Sequence, residues 1–384
     1  MIIVLQVFLL LLIGASVIFY VWCAIDTGRF FKANKQSLNE SHSPVSVLIS
    51  VCGVDADAWK NWNSFCQQDY KNYEVVFGVM DLNDPAVPIL KELVAKYPNR
   101  ARLIFGLEVR GINHKFSNLT HLLEVAQHEI IVLTDSDIWV KPEYLRTVTS
   151  PLADPKVGIV TCGYLGHQPN GLPATLASLG RCINFIPSVL IARSIEKGLK
   201  FALGATIVTR KSVLEQIGGL KNVVNRIGCD YYIGNMVAAA GYRVELSQYI
   251  LETNNGLEGF QHLFQRELRW ARMSRGNRGS LYYSIACTFG TVYCIPLLLL
   301  SGAAHWAVIV CLITASVRII QAVICICSMR CPKLLLGLWA LPIHDVMSFV
   351  IWVAGMSGRT IYWRGRHLLI EPGGILQETG SVRS

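Results

Sequence analysis

Residues 2 to 25 contain no charged side chain, and a helix needs about 20 apolar residues to cross a bilayer. A second such stretch lies near the other end: Leu281 to Val317 holds no Asp, Glu, Lys or Arg, and the apolar pattern continues past Arg318 to Ser328. That is too long for one span and suits two, with a turn from Ser301-Gly302 to His305. A third segment, Leu334 to Gly355, is interrupted by Pro342 and by His344-Asp345. With 52% hydrophobic and 16% charged residues over 384 positions, the chain is too apolar for an ordinary soluble domain. The first stretch has no basic leader, and Phe19-Tyr20-Val21-Trp22 is a poor cleavage context, so it reads as an uncleaved anchor rather than a signal peptide.

Flanking charge gives an orientation. Arg29, Lys32 and Lys35 follow the first span, and Arg330 and Lys333 precede the last segment. Positive residues stay on the cytosolic side, which places the middle of the chain in the cytosol. A full crossing by the last segment would put Arg359, Arg364, Arg366 and Arg383 outside, so Pro342 is expected to make it re-entrant or interfacial. The expected layout is an anchor at 1–25, a linker at 26–43, one domain at 44–280, a membrane region at 281–357 and a basic tail at 358–384. The net charge of +9 suits a protein lying against anionic lipid. No basic helix or aromatic platform accompanies it, so nucleic acid is not an expected partner. The twelve cysteines form no CxxC pair and have no histidine at zinc spacing, the pattern of reduced packing thiols.

Between the apolar ends, strands and helices alternate. "PVSVLISV" (44–51), "YEVVFGV" (73–79), "ARLIFGL" (101–107), the run into Asp135, "KVGIVTCGY" (156–164) and "FALGATIVTR" (201–210) read as strands. Pro88 to Lys96, Ser117 to Ala126, and "SVLEQIGGL" stopped by Gly218-Gly219 read as helices. This order predicts an α/β, mainly parallel sheet covered by helices, with ligands outside the carboxyl ends of the strands.

Acids stand at those ends. In "EIIVLTDSDIWVKPEYL", Asp135 and Asp137 flank one residue and offer hard oxygen ligands for Mg2+ or Mn2+; the competing reading is a pair of caps for the helix after Pro142. Asp81 and Asp84 in "VMDLNDPAV" sit at an earlier strand end, where a helix cap before Pro85 is the stronger reading of these residues taken alone. Asp230 in "RIGCDYYIGNMV" opens a helix and could serve only its dipole. In "FQRELRWARMSR", Arg266, Arg269 and Trp270 share one helical face, as they also would on an interfacial helix.

Taken in order, Asp81, Asp135-Ser-Asp137, Asp230 and Arg266-x-x-Arg269-Trp270 resemble the signature of processive and lipid-directed family 2-like glycosyltransferases. "NSFCQQDYKNYEVVFGVMDLNDPA", "NHKFSNL", "DSDIWV", "LGATIV", "RELRWAR" and "YWRGR" are most similar to the ceramide glucosyltransferase-like family 21, including bacterial hopanoid glycosyltransferases. The resemblance covers about residues 44 to 368. It implies a GT-A (Rossmann-like) fold, a UDP-sugar donor (UDP-glucose or UDP-N-acetylglucosamine) and a lipid acceptor in the bilayer. Asp81 would lie by the nucleoside, with Lys115 also touching the donor. Asp135 and Asp137 would hold the diphosphate through a divalent cation, Asp137 more directly. Asp230 would be the general base, and Arg266, Arg269 and Trp270 would line the diphosphate and the acceptor mouth. The chain departs from the family at Ile49 to Gly53, where Lys-Pro-Leu is common, and at Cys229, where an acid commonly precedes the base. One base without an opposing nucleophile predicts direct displacement with inversion. A polysaccharide synthase and a non-catalytic binding protein are the competing classes.

Overall fold

The computed structural model describes residues 1–33, 43–166, 169–253 and 259–379. Lys35, Arg383 and residues 34–42 of the expected linker lie outside the described residues. Two compact units result.

One unit takes the described residues within Asn34–His167, Ile195–Gly256 and Arg366–Ser384. Its centre is an eight-stranded sheet: β1 (Val45–Val51), β2 (Tyr73–Val79), β3 (Ala101–Phe105), β4 (Ile130–Asp135), β5 (Ile138–Trp139), β6 (Val157–Gly166), β7 (Thr206–Arg210) and β8 (Arg243–Thr253), in the order β3-β2-β1-β4-β7-β6-β8-β5. β2 is buried along its whole length and β1 nearly so, as apolar runs covered on both faces must be. Helices Ala58–Cys66, Ala86–Lys96 and His114–Val125 connect them. Trp62, Phe65, Leu90 and Leu93 fill the core against Ile49 and Phe77.

The expectation of a mainly parallel sheet holds for six of the eight strands. β3, β2, β1 and β4 are parallel. Beyond β4, however, β7 runs antiparallel to both β4 and β6, and β5 antiparallel to β8, while β6 and β8 are parallel. The sheet is mixed. Of the run 201–210, only Thr206–Arg210 is strand.

Chain order reverses between β1 and β4, with Ser50 paired to Asp135. A cleft forms at such a switch point because the connections leave the sheet on opposite faces. Asp135 ends β4 at this point.

The other unit takes the described residues within Met1–Ala33, Gln168–Ser194 and Leu257–Gly365. Four of its helices are long and apolar enough to cross a membrane: Ile2–Lys32, Leu172–Ile195, His305–Ser328 and Pro332–Gly355. The first of the two spans expected between 281 and 328 is a bent element: Phe260–Thr288, 3-10 from Gly279 on, meets Gly290–Leu300 at 58°. Gly302 and Ala303, both at positive φ, make the turn that follows. The last segment changes from a 3-10 stretch, Pro332–Ala340, to an α-helix, Leu341–Gly355, and Pro342 occupies the first turn of the latter, where its missing N–H has no helical partner to lose. The helix Leu172–Ile195 escaped the sequence reading because it is far less hydropathic than the first and is 72% buried within the protein.

Candidate active site

The Asp135-Ser-Asp137 turn is built by strand pairing. β5 follows at once and pairs Ile138 with Thr253, folding the chain back at Ser136, whose carbonyl accepts from Trp62 Nε1 at 3.1 Å. The helix after Pro142, Tyr144–Thr149, has Glu143 at its N-cap and no side-chain cap, so capping does not explain the two acids. Asp137 Oδ2 lies 3.5 Å from the Thr253 hydroxyl.

The helix expected from Ser117 starts at His114. Asn113 caps it, its side-chain oxygen accepting from Phe116 N at 3.2 Å, and Lys115 therefore falls in the first turn. Lys115 Nζ pairs with Asp135 Oδ1 and donates to the Gly204 carbonyl at 3.0 Å. Burial disfavours its cation, yet the charges of Asp135 and Asp230 outweigh that and raise its pKa.

Asp230 lies in the first turn of Cys229–Ala239, after Gly228 at φ 69°. Burial raises its pKa and the nearby Asp135 adds to this, while Lys115 opposes it. Lys115 thus stands among three groups: one carboxylate it pairs with, a second whose charge it feels, and the Gly204 backbone. Among the described residues, Asp81 makes no hydrogen bond or ion pair with these groups. It is exposed, two residues past the end of β2, and accepts from Asn83 N at 2.9 Å. The cap reading holds for Asp84, which accepts from Ala86 N and Gly53 N, each at 2.8 Å.

Cys229 answers the departure from the family pattern. Its sulfur lies 3.1 Å from the carbonyls of Val223 and Arg226 and accepts from Asn113 Nδ2 at 3.0 Å. Burial pushes the thiol up strongly, so it is a neutral packing group. Asn113 also donates to Arg226 O at 2.8 Å, tying the Lys115 helix to the Asp230 loop. The hairpin Arg366–Glu371/Ile375–Glu378 supports that loop from outside: Ile227 N donates to Gly374 O and Leu376 N to Asn225 O, each at 2.8 Å. Asn113 and Gly204 went unassigned in the sequence, although both lie within the quoted motifs.

Among the described residues, no group of three His, Cys, Asp or Glu could enclose a metal ion. Asp135 and Asp137 offer only hard carboxylate oxygens. That donor set fits a Mg2+-like ion, which is commonly held by one or two carboxylates and completed by phosphates and water.

Arg266, Arg269 and Trp270 belong to the other unit, on the helix Phe260–Arg278. The Arg266 guanidinium sits 5.5 Å from the centre of the Trp270 ring and 3.3 Å from Glu267. Arg269 lies over Trp363 at 5.6 Å. Arg275 holds the helix by donating to the carbonyls of Met356 and Gly358.

This mixed sheet is that of a GT-A-like fold. A mannosyltransferase from Pyrobaculum calidifontis, solved in complex with GDP-Man and Mn2+, superposes with a TM-score of 0.54 at 16% identity, over 93% of this chain and 98% of that one. The description of glycosyl transferase family 21 matches residues 8–376, and the chain belongs to that family. Ceramide glucosyltransferase 3 of Caenorhabditis elegans is 24% identical over 65% of this chain and 54% of its own length; ceramide glucosyltransferase 1 of the same organism is 23% identical over 60% and 49%. The chain spans about half the length of these curated relatives.

Proposed function

We propose that this chain is a membrane-bound, inverting glycosyltransferase that moves a sugar from a UDP-sugar to the hydroxyl of a membrane lipid, ceramide glucosyltransferase-like in its acceptor. The observation that carries the reading is the grouping of Lys115, Asp135 and the enclosed Asp230 where the strand order reverses. Family membership and the kinship to ceramide glucosyltransferases support the reaction class.

In this reading Asp230 is the general base. A lipid hydroxyl must lose its proton as it attacks the anomeric carbon, and one positioned carboxylate contributes typically 10²- to 10⁴-fold to such a step. Burial beside Asp135 makes Asp230 a better proton acceptor than an exposed carboxylate. Lys115 opposes this rise in pKa, and its bond to Gly204 O holds the ammonium in place. Asp81 is assigned to the nucleoside. Asp137 and Asp135 are assigned to Mg2+ or Mn2+, Asp137 more directly; the ion when bound would offset charge on the departing diphosphate. Arg266 and Arg269 are assigned to the same diphosphate and Trp270 to the acceptor mouth, each guanidinium already oriented by an aromatic face. Arg29 and Lys32 in the last turn of the first helix, with Arg330 and Lys333 after His305–Ser328, favour a cytosolic catalytic unit.

Washed membranes containing the protein, given labelled UDP-glucose or UDP-N-acetylglucosamine with and without EDTA, test the reading. Label is expected in the lipid extract, lost with EDTA, and mass spectrometry of that extract identifies the acceptor. Label in a polymer instead would sink the lipid reading. A product that retains the donor's α configuration by NMR would sink the inversion.

A further inference from the structure

Trp270 has a second cationic neighbour. The helix Leu172–Gly180 runs into a π-helical turn, Arg181–Phe185, and such turns cluster at functional sites. The Arg181 guanidinium lies 5.5 Å from the Trp270 ring centre, the same distance as that of Arg266. Arg181 is only 5% exposed. An arginine on a span-length apolar helix is costly to keep there, so its place on the ring calls for a reason.

The turn beneath it is locked from the other side. Gln321 Nε2 donates to Ile183 O at 2.8 Å, and Arg318 Nη2 donates to Asn184 Oδ1 at 3.0 Å. Arg318 is itself fixed by Asp345 at 2.7 Å and packs on Tyr20 at 4.7 Å. Just before the turn, Gly180 leaves room for His344: a Cβ there would stand 2.8 Å from Nε2. The polar network of the helix bundle therefore sets the turn, and the turn delivers Arg181 to the indole. We infer that Arg181 is a positioning residue that holds the Trp270 ring for the lipid acceptor, acting through the ring and not on the substrate. This rests on the assignment of Trp270 to the acceptor mouth.

The full chain in detergent, with UDP-glucose and a short-chain ceramide, supplies the test. Arg181→Met, which keeps the length and removes the charge, is expected to raise the ceramide KM about 3- to 30-fold and leave the UDP-glucose KM within about twofold. In a Trp270→Ala background the same substitution is expected to add nothing. A full additional loss in that background, or an equal rise in both KM values, overturns the inference. Arg181→Lys keeps a cation without the planar fork and is expected to recover part of the loss. Should Arg181→Met fail to purify as folded protein, Arg181→Lys in the same two backgrounds is judged by the same criterion. Trp270→Ala separates the two failures. An unchanged ceramide KM there removes the assignment of Trp270 and the inference with it. A raised one, with Arg181→Met at the wild-type value, removes the inference alone.

Discussion

Gly204 lies against the Asp230 carboxylate so closely that a Cβ added to it would stand 3.0 Å from Oδ2. The glycine is thus a spatial requirement of the acid. Gly204→Ala is expected to displace the carboxylate by a few tenths of an ångström and lower kcat on the order of tenfold. The melting midpoint should barely move, because the carboxylate can give way where backbone would not. A wild-type kcat in this variant would mean that the placement of Asp230 does not limit the reaction.

Asp230→Asn retains the shape and removes the base. Transfer is expected to fall by about 10²- to 10⁴-fold, while UDP-sugar affinity, read by calorimetry, stays within about threefold. Equal loss of both would make the residue structural.

Burial raises the Asp230 pKa, and a base works only when ionised. Activity is therefore lost as pH falls through that raised value, and the acid limb of kcat/KM lies above the ordinary carboxylate pKa of about 4. Lys115 opposes the rise. Lys115→Met is expected to move the acid limb to still higher pH, whatever it does to the plateau rate. A limb that stays put or moves down in a full pH profile refutes the coupling.

Asp135 already engages Lys115, which favours Asp137 as the direct ligand of the cation. Asp137→Asn is expected to raise the Mn2+ concentration for half-maximal activity by about tenfold or more. Activity titrated with Mn2+ after EDTA treatment measures it; an unchanged midpoint would move the ion elsewhere.

Arg318 and Asp345 form a buried, doubly hydrogen-bonded ion pair. Removing either partner strands a charge, and Asp345→Ala or Arg318→Ala is expected to cost about 3–5 kcal/mol. The double replacement by leucines should cost less than either single change, because no charge is then left alone. Unfolding in detergent followed by circular dichroism compares the three. Additive losses would mean that the pair contributes nothing as a pair.

Much of this was legible in one dimension. The apolar stretches declare themselves because lipid leaves a chain few choices: about 20 uncharged residues must satisfy their own backbone. β1, β2 and β4 are readable for a related reason, since a strand buried on both faces is apolar throughout. The acids at their ends were visible because motif chemistry is a matter of residue type and spacing.

Other features had no local signature. The apolar runs of β6 and β7 look the same whichever way they pair, so their antiparallel partnership, and with it the mixed sheet, was hidden. Pro342 marks a change of helix type whose form its letter alone does not show, since a proline inside a helix and one in its first turn are written the same. Arg181 could not be found at all, since only Trp270, distant in sequence, and the Arg318–Asp345 network explain an arginine in an apolar helix.

Local chemistry along the chain thus settled which segments seek lipid, which become central strands, and which acids end them. Folding alone decided that Lys115 should reach Asp135 and feel Asp230, that Gly204 should make space for the base, and that Cys229 should be a packed thiol. Those outcomes are set by burial and charge at distances of a few ångströms between residues far apart in the chain. Neither burial nor proximity is a property that any one stretch of sequence carries by itself.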